Sequence, residues 1–113
     1  MAVIAYALPI VAGQADSARS FGAELDEAGH RDRYEELNRR AGVTRHLEWV
    51  QSTPMGDQLV VVFETDRPAA LARAFEEDDY DRWWRARVER IHGFDPATAG
   101  ALPELSWSWP AGG

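Results

Sequence analysis

Residues 48–64, EWVQSTPMGDQLVVVFE, admit few folds. They read as a strand, a tight turn and a second strand. In TPMG (53–56), Pro takes the second position and Gly the fourth, as a type I turn prefers. The second strand is apolar at every position from Leu59 to Phe63, whereas a strand between core and water alternates. Both faces of this hairpin therefore need cover. The turn also sets a register. With Thr53 facing Gly56, Gln51 faces Gln58, Trp49 faces Val60, Leu47 faces Val62, and Arg45 faces Glu64. One face then carries Arg45, Leu47, Trp49, Gln51, Gln58, Val60, Val62 and Glu64. The other carries Val50, Leu59, Val61 and Phe63, with His46 and Glu48 farther along, and is the better packing surface for helices. A slip of one residue would exchange the two sets.

The remaining elements follow from periodicity. AVIAYALPI (2–10) is β-compatible and ends near Pro9, which suits a strand end or an edge. Between residues 12 and 42, Phe21, Leu25, Ala28, Tyr34, Leu37 and Ala41 recur at helical spacing, with Gly29 a point of breakage and Gly42 a stop after Arg39 and Arg40. Beyond the hairpin, Asp66 and Pro68 open a short helix carrying Leu71 and Phe75. A longer helix from about Tyr80 places Trp84, Val88 and Ile91 on one side and closes at Gly93. LSWSW (105–109) alternates strictly and predicts a last strand.

The order βαββαβ predicts an α+β, ferredoxin-like single domain over residues 1–113: a four-stranded antiparallel sheet with its helices on one face. That arrangement leaves the opposite face bare, and one chain has no element left to cover it. A second copy, packed face to face as a homodimer closing toward a barrel, is the simplest cover.

The bulk numbers narrow the partners. With 19 acidic and 12 basic residues the chain carries a net charge of −7, so nucleic acid and anionic membrane surfaces are poor partners. There is no cysteine, hence no disulfide, thiolate metal site or cysteine nucleophile. The apolar start MAVIAYALPIVAG lacks a basic flank and is too short to span a bilayer, which makes a cytoplasmic protein the expectation. No phosphate loop, nucleophile elbow or metal-ligand spacing is present, so neither a metal nor an organic cofactor is expected.

The face away from the helices mixes an aromatic ring, two amides and an Arg–Glu pair among apolar residues, as small-molecule cavities do. Trp49, Gln51 and Val62 are the candidate ligand contacts there, and Arg45 and Glu64 the candidate catalytic groups. Each has a plainer reading. Arg45 and Glu64 can be a simple cross-strand pair, Trp49 can fill a dimer core, and Gln51 with Gln58 can face water. His92, in the last helical turn before a glycine, is either a third catalytic candidate or a side chain favoured by the helix dipole. Trp83 lies about 100° around the helix from Trp84 and is a further candidate at an interface or a cavity mouth.

RRAGVTRHLEWVQSTPMGD (39–57) and YDRWWRARVERIHGFD (80–95) together resemble a group of small proteins in the dimeric α/β-barrel superfamily. Recurring marks include Gly42, Thr44, Arg45, Trp49, Gln51, Asp81, Trp83, His92 and Asp95. The resemblance covers nearly the whole chain and implies the fold and the homodimer. The wider superfamily includes cofactor-free monooxygenases acting on aromatic polyketides, polyketide cyclases, haem-binding members and plain ligand binders. Relatives in the group can carry His where this chain has Arg87, which cannot act as a general base at neutral pH. Haem gains little support, because His46 falls on the helix-packing side of the register.

With the mixed face, the resemblance implies as the first expectation an enzyme without a bound cofactor, acting on a hydrophobic, aromatic or polycyclic metabolite by oxygenation, or by cyclisation or isomerisation through an enolate. In that reading Trp49 stacks the substrate, Arg45 stabilises oxyanion charge and Glu64 is the base. A non-catalytic binder of a similar ligand and a purely structural dimer are the competing readings.

Overall fold

The computed structural model describes residues 2–27, 29–74, 79–94 and 103–110. Three strands, β1 (Ala2–Pro9), β2 (Val43–Thr53) and β3 (Gly56–Thr65), form one antiparallel sheet in the order β1-β3-β2. Helices α1 (Ala15–Leu25) and α2 (Arg31–Arg40) connect β1 to β2, and α3 (Pro68–Ala74) and α4 (Asp79–His92) follow β3. The architecture is therefore mixed α+β with an antiparallel sheet. Phe75, Ala28 and Asp95, expected in the helical stripes or among the recurring marks, lie outside the described residues, as do the side chains of Tyr80 and Asp81.

The hairpin register matches the one the turn dictates. Thr53 stands opposite Gly56, Gln51 opposite Gln58, Trp49 opposite Val60, Leu47 opposite Val62 and Arg45 opposite Glu64. Thr53 Oγ1 accepts from Met55 N at 3.2 Å and donates to Gly56 O at 2.6 Å, pinning the turn from within. Adding β1 gives rows of three across the sheet. Ile4, Phe63 and His46 form one row on the helix side, and Tyr6, Val61 and Glu48 the next. On the opposite side Ala5, Val62 and Leu47 form one row, and Ala7, Val60 and Trp49 another.

The core lies between the helices and the first of these faces. Phe21 and Leu25 of α1, Leu37 of α2, Leu71 of α3, and Trp84, Val88 and Ile91 of α4 pack over Ile4, Leu59, Val61 and Phe63. Burying side chains of this size stabilises by roughly 1.5–3 kcal/mol each before conformational entropy is subtracted. The expected helix break stands at Gly29, with φ +92°, and α2 stops at Gly42, with φ +67°. A Cβ at Gly42 would come within 3.0 Å of the Arg67 backbone nitrogen, so neither the conformation nor the space admits a side chain. Next to it the fully buried Thr65 donates from Oγ1 to Ala41 O at 2.7 Å and ties β3 to the end of α2.

The expected fourth strand differs. Residues 103–108 have no regular structure and no ladder partner, and Leu105, Trp107 and Trp109 are 72%, 76% and 82% exposed. Strict alternation makes a segment able to form a strand, but a strand needs an edge to pair with. Among the described residues β1 bonds only to β3, and its outer edge has no strand partner. Among the described residues no helix is long and apolar enough to cross a membrane.

Candidate functional site

The residues singled out in the sequence divide between the two sides of the sheet. Arg45, Trp49, Gln51, Val62 and Glu64 share the face without helices. Its centre is apolar, formed by Ala5, Ala7, Leu47, Val60 and Val62. Gln58 donates from Nε2 to Gln51 Oε1 at 2.6 Å at one end, and Arg45 stands opposite Glu64 at the other. Val3 and Trp49 are 63% and 51% exposed there, so among the described residues this face is an open surface.

Trp83 and His92 lie on the helix side. Trp83 packs edge-on to Phe21 at 5.8 Å and stacks on His30 at 4.0 Å, joining α4 to α1 and to the start of α2. His92 is buried, and its Nδ1–H donates to Pro9 O at 2.7 Å. Burial pushes its imidazole below the ordinary pKa, opposed by the Pro9 carbonyl and the Glu48 charge. Together with the bond from Val11 N to Ile91 O at 2.8 Å, this contact fixes the end of α4 to the end of β1. Arg87 pairs with Glu24 of α1, a helix-to-helix link.

A cleft of ≈ 840 Å³ opens on the helix side, between α1, α2 and the β2 edge. Ala18, Gly22 and Leu25 form its α1 wall, Tyr34 and Glu35 its α2 wall, and His46, Glu48 and Val50 its floor, with Trp49 at the strand edge. Arg31 at the rim is held between Asp26 at 3.6 Å and Glu35 at 3.3 Å.

Three lining residues are joined in a chain. His46 Nε2 lies 2.9 Å from Glu48 Oε2, and His46 Nδ1 bonds to the Tyr34 hydroxyl. A carboxylate only accepts, so Nε2 carries the proton of the neutral ring; Nδ1 then accepts, and Tyr34 donates. Asn38, one turn along α2, also hydrogen-bonds to Tyr34 and favours its phenolate, while burial, the larger effect, and the Glu48 charge hold the phenol above its ordinary pKa. Burial raises Tyr6 as well, with Glu48 adding to the effect from the same row of the sheet.

The chain is locked by packing. Phe63 stacks under the His46 ring at 4.2 Å with 15° between planes, and Trp84 stacks on Tyr34 at 6.0 Å with 12°. His46 retains only 9% of its side-chain surface. With both ring nitrogens engaged, His46 has no nitrogen free to ligate an iron. Among the described residues no group of three or more His, Asp or Glu side chains is arranged to hold a metal ion.

No family model, curated protein or solved structure matches this chain. The fold and the site therefore stand on the residues themselves.

Sequence reasoning passed over the Tyr34–His46–Glu48 chain. Tyr34 counted as one member of a helical apolar stripe, and His46 and Glu48 counted as packing-side residues. The signal was the last of these assignments, because two polar groups at i and i+2 on a helix-facing strand need partners when covered.

Proposed function

We propose that this protein is a small-molecule enzyme working without a bound cofactor on a hydrophobic, aromatic or polycyclic compound, by oxygenation or by cyclisation or isomerisation. The observation that carries the proposal is the ≈ 840 Å³ cleft in which a hydrogen-bonded Tyr34–His46–Glu48 chain lies between apolar residues such as Leu25, Val50 and Leu59 and a charged rim of Asp26, Arg31 and Glu35. That volume falls in the range of small-molecule pockets, roughly 300–1,000 Å³. Mixed lining with a few placed polar groups is what orients a ligand, and an oriented titratable chain is what a binder alone does not need.

The proposal includes a homodimer. The apolar centre of the open sheet face, rimmed by Gln51 with Gln58 and by Arg45 with Glu64, has the character of a surface that takes a partner. A second copy supplies a matching face by symmetry. In the same assembly Leu105–Trp109 serves as the fourth strand of a ferredoxin-like sheet and carries its three apolar side chains out of water. Trp49, on the open face and at the cleft edge, is the residue where ligand and interface meet.

Binding of the aromatic ketone 1-tetralone, followed beside thermal melts of Trp49→Ala, tests the reading. Since Trp49 is 51% exposed, its truncation is expected to cost well under the ~3–5 kcal/mol of a buried aromatic while weakening binding. The opposite pattern, full affinity with a large loss of stability, contradicts a ligand at this edge.

A further inference from the structure

We propose that Tyr34, His46 and Glu48 form a proton relay in which the Tyr34 phenolic oxygen takes a proton from a carbon next to a carbonyl group of the bound compound. The proposal rests on the ligand-binding cleft above and assigns its chemistry. Proton abstraction to an enolate, and hence isomerisation or cyclisation, is the reaction this set of groups supplies without an oxidant.

Each bond in the chain has one direction. Glu48 accepts from His46 Nε2 at 2.9 Å, which leaves Nδ1 as a base aimed at the Tyr34 hydroxyl. As the substrate C–H bond breaks, its electron pair becomes the enolate and its proton joins the Tyr34 oxygen. The former phenolic proton moves to His46 Nδ1, and the resulting imidazolium lies against the Glu48 carboxylate. The charge created is one enolate and one neutralised cation, so the relay holds no isolated buried charge. Return of the proton through Tyr34 to a different carbon completes an isomerisation with atoms and electrons balanced. Attack of the enolate on a second carbonyl of the same molecule instead forms a ring C–C bond and an alkoxide, which takes the proton held on His46 back through Tyr34.

The groups around the relay suit this use. Tyr34 spends one contact of its oxygen on His46 and one on Asn38, and its ring lines the cleft. Phe63 and Trp84 fix the two rings of the relay by stacking, so the geometry exists before any ligand arrives. Tyr34 is the catalytic residue in this assignment; Glu48 positions His46 and stabilises its cation.

The chromogenic carbon acid 5-nitrobenzisoxazole tests the relay. Loss of its C3 proton sends the C–H electrons into a nitrile and breaks the N–O bond, giving a coloured cyanonitrophenolate. The chain has no lysine, which removes the commonest adventitious base. Turnover above buffer is expected to fall about 100-fold or more in Tyr34→Phe and in His46→Gln, within the range of general-base catalysis. Glu48→Gln is expected to lower kcat at unchanged KM, which a purely structural role would not do. It also keeps the test standing where melting shows that another variant fails to fold. The 3-methyl analogue, which has no proton to lose, reads binding alone through tryptophan fluorescence. Binding of that analogue without turnover, or turnover that survives all three variants, overturns the relay and leaves the cleft reading intact. Absence of saturable binding overturns the cleft reading and the relay with it.

Discussion

Arg45 and Glu64 stand directly opposite one another across β2 and β3, yet no ion pair joins them among the described residues. Arg45 is exposed and Glu64 half-buried, with Val3 completing their row at the end of the sheet. Charges so placed are solvated and screened. Arg45→Ala and Glu64→Gln are each expected to change stability by no more than about 0.5 kcal/mol, and the double mutant to be additive. Denaturant unfolding of the four proteins of this cycle is the measurement; a coupling above about 1 kcal/mol would restore the pair to a buried site.

Val62 sits at the centre of the open face, between Ala5 and Leu47. A carboxylate there opposes any apolar cover while leaving the helix-side core untouched. Sedimentation at micromolar concentration is expected to give a dimer for the natural chain and a monomer for Val62→Glu, with the helical circular dichroism retained. A natural chain that sediments as a monomer would exclude the homodimer.

His92 links pH to stability. Its folded-state pKa lies below the ordinary imidazole value because burial disfavours the cation, an effect only partly opposed by the Pro9 carbonyl and Glu48. The unfolded chain then binds more protons between the two pKa values, so stability rises with pH through that window. Put the other way, stability is lost as pH falls from about 6.5 toward the depressed value. Asn places an amide donor close to the position of Nδ1–H. His92→Asn is expected to flatten this part of the stability–pH curve, as thermal melts between pH 5 and 8 would report. An unchanged slope would place the acid-sensitive group elsewhere.

Local chemistry was legible in the sequence wherever one residue type fixes a backbone choice. Pro54 and Gly56 set the turn, and the turn set every pairing from Thr53 to Arg45. Gly29 and Gly42 marked where helical backbone ends, and both adopt positive φ. Tertiary placement was not legible in the same way. Trp83 and Arg45 look equally available in the sequence, but the helices carry Trp83 to the far side of the sheet. Tyr34 and His46 are twelve positions apart, and only the packing of α2 over the β2 edge brings the phenol to the imidazole. The alternation of Leu105, Trp107 and Trp109 shows that the segment can form a strand without naming the edge it needs.

The proposed ligand site is the cleft between α1, α2 and β2. Backbone amide resonances followed during titration with 1-tetralone test it most directly. Saturable shifts are expected at Gly22, Tyr34, His46 and Glu48, on the walls and floor of the cleft. Shifts confined to Ala5, Val62 and Arg45 on the open face, or no saturable shifts at all, would contradict it.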